Sequence, residues 1–112
     1  MPTYLPNGAQ AVVDIRKLED YCLNPSHPRG RHKARVFRDA LGLNRGDAVW
    51  LKGALLGAAR SAEASQTGAD EWGAYWRIDA TIARQNRTAV VRTIWIVRVG
   101  ELMPTFVTCW VL

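Results

Sequence analysis

At 112 residues the chain can bury one real core and is too short for two, so residues 1–112 are expected to form a single domain. Fifteen Lys and Arg against ten Asp and Glu give a net charge of +5. Most of the excess sits in one basic stretch, so the charge is local and favours a polyanionic partner such as RNA, with a plain solvated basic helix as the bland alternative. No apolar run approaches the roughly 20 residues of a membrane-spanning helix, and no association with a membrane is expected.

From the start, MPTYLPNGAQ has neither the basic opening nor the apolar run of a secretion signal, and a reduced cytoplasmic location is the expectation. Ala11 to Ile15 reads as a short apolar strand. Asp14 is placed to cap a first helix over Ile15 to Leu23, with Ile15, Leu18 and Cys22 at helical spacing, ended by Pro25 and Pro28. A second helix is expected from Arg31 to Leu41, closed by Gly42. A third is expected from Asp47 to Ala59, with Val49, Trp50, Leu51, Leu55 and Leu56 as its core residues. This helical half covers about 11–60. SAEASQTGAD, Ser61 to Asp70, is small, polar and aperiodic, and reads as part of a loop over about 61–72.

Beyond it, over 73–112, the period changes to two. Trp76, Ile78, Ala80 and Ile82 fall on one face of a strand, and Gln85, Asn86 and Arg87 form a turn into a second strand over Ala89 to Val99. Thr105 to Leu112 is a last strand. The expected fold is α+β, three N-terminal helices packed on one face of a three- to four-stranded antiparallel sheet, with Ala11 to Ile15 as the optional fourth strand. An exposed edge strand would offer a route to a homodimer or to a partner's strand.

The stretch His27 to Arg38, HPRGRHKARVFR, carries five cationic side chains and both histidines without a carboxylate. Pro28 and Gly30 precede the helix, so the loop holds His27 and Arg29 near its N-terminus, an anion-binding geometry. At 100° per residue Arg31, Arg35 and Arg38 share one face, while Ala34, Phe37 and Leu41 form the apolar stripe. Lys33 lies at the border of that stripe, where it either snorkels to water or projects into a cleft against the sheet. Thr93 and Trp95 share one face of the long strand, and Thr108 and Trp110 share one face of the last. Each pair is also ordinary strand core. Cys22 and Cys109 have no metal-ligand spacing and read as small buried hydrophobes, and with two histidines and no clustered acids neither a metal site nor a cofactor is expected.

DYCLNPSHPRGRHKARVF, Asp20 to Phe37, followed by ALGL, resembles the LNPxHPxGxxKAxxF signature of an uncharacterised family of small bacterial domains, and TIWIV (Thr93 to Val97) and FVTCW (Phe106 to Trp110) resemble that family's strand motifs. The resemblance implies a free-standing or polymorphic-toxin module partnered by an antitoxin or immunity protein. Helices followed by an antiparallel sheet are also similar to the metal-independent toxin ribonucleases related to barnase, EndoU, the tRNA-cleaving colicins and RelE. That similarity implies a cleavage in which a 2′-hydroxyl attacks the adjacent phosphate. His27 or His32 would be the acid or base, and Lys33 and Arg35 would stabilise the phosphorane. Thr93 or Thr108 would orient the scissile group, and Arg29, Arg31, Arg38 and Trp95 would hold the strand. The rival readings are a non-catalytic nucleic-acid-binding, antitoxin or regulatory module, and a protein-interaction domain that docks its basic helix on an acidic partner.

Overall fold

The computed structural model of the protein describes residues 1–112. Two helices, α1 (Arg31–Leu41) and α2 (Ala48–Ser61), precede four strands: β1 (Ser65–Asp70), β2 (Gly73–Arg84), β3 (Arg87–Arg98) and β4 (Thr105–Val111). The strands form one antiparallel meander in the order β1-β2-β3-β4. The α+β class holds. The details differ from the expected three helices and optional fourth strand.

The first expected helix is short and changes pitch: residues 16 and 17 are α-helical, with the Glu19 amide donating to the Ile15 carbonyl at 2.9 Å, and Leu18–Cys22 is a π-helical turn in which the Leu23 amide donates to the Leu18 carbonyl at 2.9 Å. Asp14 accepts the Arg16 amide at 3.0 Å, the cap its place predicts, and the helix ends before Pro25. Ala11 to Ile15 supplies no strand, only an isolated parallel bridge from Val12 to Thr105. The fourth strand is β1, inside the stretch read as a loop. All six of its residues are exposed, so it has no alternating pattern to betray it, and its pairing with β2 is carried by the backbone.

In α1 the stripe Ala34, Phe37 and Leu41 is buried as its spacing predicts. Gly42 ends the helix in the left-handed region (φ 67°), where its amide reaches the Arg38 carbonyl. Asn44 and Asp47 then cap each other: the Asn44 side chain accepts the Gly46 amide and the Asp47 carboxylate accepts the Asn44 amide, both at 2.9 Å. The buried face of α2 is Ala48, Leu51, Leu55 and Ala59. Val49 and Trp50 were expected in the core but stand outside it, Val49 at 73% exposure, because the buried stripe Ala48, Leu51, Leu55 and Ala59 follows the helical period and leaves both off it. Trp50 instead stacks under the Arg84 guanidinium at 5.4 Å.

On β2, Ile78, Ala80 and Ile82 point into the core, and the 12-residue β2 and β3 pair in unbroken register from Gly73–Arg98 to Arg84–Arg87. Register breaks once between β3 and β4: Ile94 faces Thr108 and Trp95 faces Phe106, leaving Val107 as an extra residue. This bulge changes which side chains of β4 reach the core. Phe106, Cys109 and Val111 oppose the inward residues Trp95, Thr93 and Val91, whereas Thr108 and Trp110 oppose Ile94 and Arg92 on the other face. Lys17 fixes the bulged edge by donating from Nζ to the Phe106 carbonyl at 2.7 Å.

Candidate active site

The rim of the sheet beside the bulge is where α1 and the π-helical turn meet β4. Lys33 leaves the border of the α1 apolar stripe and donates from Nζ to Thr108 Oγ1 at 3.0 Å. Its ammonium lies 4.7 Å from the centroid of the Tyr21 ring and 5.2 Å from that of Trp110, so two aromatic faces hold the cation in a half-buried slot. His27 packs edge-on against the same tyrosine, ring centroids 4.8 Å apart. Its Nδ1 accepts the amides of Arg29 (3.0 Å) and Gly30 (2.9 Å). The hydrogen of the neutral ring therefore sits on Nε2, which has no partner in the fold.

Gly30 is required by this packing. A Cβ there would lie 2.3 Å from the Tyr21 carbonyl oxygen and 3.1 Å from the Tyr21 ring. At the start of α1 the amides of His32 and Lys33 have no acceptor in the fold. The slot thus holds a fixed ammonium and a hydroxyl, with the His27 ring against its tyrosine wall and open amides in the first turn of the helix that carries Lys33, and no ion pair engages Lys33. Such a set can bind a phosphate and stabilise charge developing on its oxygens.

Behind it lie the two cysteines. Both are free and buried, with Sγ atoms 4.0 Å apart and Cys22 Sγ also 4.0 Å from Thr108 Oγ1. The Cys109 thiol donating to Cys22 brings the Cys22 pKa down to about 6, against the opposing pull of burial, with nearby Lys33 assisting. Cys109 moves well upward, through its hydrogen bond to Cys22 and then its burial.

The structure brings together His27, Lys33 and Thr108 among the residues singled out in the sequence. Arg31, Arg35 and Arg38 line a groove on the opposite flank of α1, so Arg35 does not share a phosphate with Lys33. His32 and Arg29 are exposed near the start of α1. Thr93 and Trp95 are fully buried. Thr93 donates to the Ile78 carbonyl at 2.9 Å and accepts the Trp95 indole N–H at 2.8 Å, a closed pair that satisfies two core polar groups and offers nothing to a ligand. Tyr21 was not among the sequence candidates. Its signal was its place six residues before His27, which only the π-helical turn converts into contact.

A family model, that of a domain of unknown function (DUF6883), matches residues 4–112. The chain belongs to the DUF6883 family. This agrees with the expected uncharacterised family of small domains, and the match spans every element of the DUF6883 fold described above. No curated protein and no solved structure matches the chain. No helix of this DUF6883 domain is long and apolar enough to cross a membrane.

Proposed function

We propose that the chain is a toxin-type, metal-independent ribonuclease that cleaves RNA by attack of a 2′-hydroxyl on the adjacent phosphate, and that an antitoxin or immunity protein is its cognate partner. The observation that carries this reading is the Lys33 ammonium, held between Tyr21 and Trp110 and hydrogen-bonded to Thr108, with His27 on the same tyrosine. A cation fixed before substrate arrives costs no reorganisation when the phosphorane forms. Two helices leading into a four-stranded antiparallel meander also support the likeness to toxin ribonucleases in layout, though layout alone argues only by analogy.

Lys33 and the His27 Nε2–H neutralise the non-bridging oxygens, and Thr108 orients the scissile group. Because Nδ1 of His27 is committed to two amides, that ring serves as a donor; His32, exposed and without a hydrogen-bond partner, is the imidazole free to take the 2′-hydroxyl proton as the 2′-O–P bond forms, and solvent protonates the leaving 5′-oxygen as its bond to phosphorus breaks. Arg29 and the arginine face of α1 hold the flanking strand.

The test is induced expression in bacteria of wild type beside Lys33→Ala, following growth and total RNA, with the purified proteins assayed on RNA. Wild type arrests growth and fragments RNA, and Lys33→Ala lowers the cleavage rate by about 10²–10³ while keeping most of the RNA affinity. Intact RNA and normal growth with wild type overturn the enzyme and leave the non-catalytic binding module.

A further inference from the structure

The flank of α1 turned away from Lys33 forms a groove of about 510 Å³. Its floor is apolar, made by the buried side chains of Leu23, Ala34 and Leu43. Its walls carry Arg31, Arg35, Arg38 and Arg45, and no carboxylate lines it. Arg45 is engaged with Asp20 at 2.7 Å and Arg38 approaches Asp39 at 3.7 Å. Arg31 and Arg35 have neither an ion pair nor a side-chain hydrogen bond and are unspent cations on the groove.

From this we infer that the groove is a nucleotide-binding site, taking a phosphate between Arg31 and Arg35 and the attached base against the exposed Pro25 ring and guanidinium faces, above the closed floor of Leu23, Ala34 and Leu43. The size is that of a small-molecule site. Planar guanidinium groups suit both bidentate phosphate contacts and stacking on a base, which lysines would not provide. An isolated phosphate or the carboxylates of an acidic peptide would use only the charge of the arginines, whereas a base also covers the exposed Pro25 ring and the guanidinium faces, so those faces are what select a base. Asn44, whose side-chain oxygen is taken by the Gly46 amide, keeps its NH₂ for a base edge at the rim. This extends the ribonuclease reading by giving the RNA a subsite separate from the Lys33 slot, and it stands or falls on binding alone.

The same nucleotide chemistry could reach the groove as a free nucleotide or as part of a strand, and the experiment separates them. The protein is titrated with 5′-AMP, inorganic phosphate, a glutamate-rich peptide and tetradeoxyadenylate, which lacks the attacking hydroxyl, while amide and methyl shifts are followed by NMR. The expected result is that 5′-AMP binds at least about tenfold more tightly than phosphate or peptide and shifts Leu23 and Leu43. Arg31→Ala/Arg35→Ala weakens it at least about tenfold, with the fold intact by its spectrum, and Lys33→Ala binds it like wild type. Tighter binding of the tetranucleotide than of 5′-AMP identifies a strand, and equal binding a free nucleotide. The proposal is overturned if 5′-AMP binds no better than phosphate, if the peptide binds better, or if the shifts fall on Tyr21 and Trp110 instead. Binding of 5′-AMP without any RNA cleavage by wild type keeps the groove and removes the ribonuclease.

Discussion

His27 does two jobs that a single alanine substitution would confuse. Its Nδ1 is the acceptor for two amides at the mouth of α1, and in the proposed mechanism its Nε2–H donates to the phosphate. His27→Ala should cost about 1–2 kcal/mol by denaturant unfolding, the usual value for a lost cap. His27→Asn, whose oxygen can accept the same amides as an Asx turn, should recover most of that stability and still cleave RNA about 10–100-fold more slowly. Recovery of activity together with stability would show that the ring only caps.

The cysteine pair gives a second residue-level prediction. With the Cys22 pKa at about 6, folded Cys22 has lost its proton at pH values where the unfolded thiol, near 9, still holds it. Stability should therefore rise with pH from about 6 to 9 through this group. Above 9 the raised Cys109 works the other way, and stability falls. Cys109→Ala removes the donor and leaves burial to push Cys22 upward. Ultraviolet thiolate absorbance against pH should show the low-titrating thiol in wild type and its loss in the variant.

At the scale of elements, the boundaries of α1 were legible because one apolar stripe, Ala34, Phe37 and Leu41, and one terminating glycine define it. The long β2–β3 hairpin was legible from alternation. The bulge at Val107 was not: TFVTCW has no proline or glycine to mark it, and before the register is known Thr93 and Thr108 look equivalent beside their tryptophans. Register sends the first pair into the core and the second to the rim. Strand β1 escaped because exposure on both faces erases periodicity. The contacts between elements also give two glycine substitutions of opposite sign. Gly30→Ala, crowded against the Tyr21 carbonyl, should destabilise by about 1–3 kcal/mol and lower activity by displacing the ring. Gly53→Ala on the open face of α2, with nothing within 4 Å of the added methyl, should stabilise by about 0.5–1 kcal/mol. Thermal unfolding of the two beside wild type checks both.

Across the whole molecule, the basic stretch that dominates the net charge is divided by the body of α1, which is about 10–12 Å thick with its side chains, between a slot with one fixed ammonium and a groove with several guanidiniums. A polyanion that uses both must cross the open amides at the helix start. If Lys33, Arg31, Arg35 and Arg38 each meet a phosphate, log K for single-stranded RNA should fall against log salt with a slope of about −3, and Arg35→Ala should reduce its magnitude by about 0.7. Fluorescence anisotropy over a salt series measures this, and a slope near zero would show that the strand does not follow that track.

The hydrogen bond from Lys33 to Thr108 spans 75 residues of chain. Its aromatic walls come from Tyr21 and Trp110, so the cluster joins the first third of the sequence to the last strand. On a ribosome, the helices and the β2–β3 hairpin can emerge while the slot still has only one wall. The slot is therefore incomplete until β4 has cleared the tunnel and docked, and whatever chemistry it performs waits for the last strand to be made.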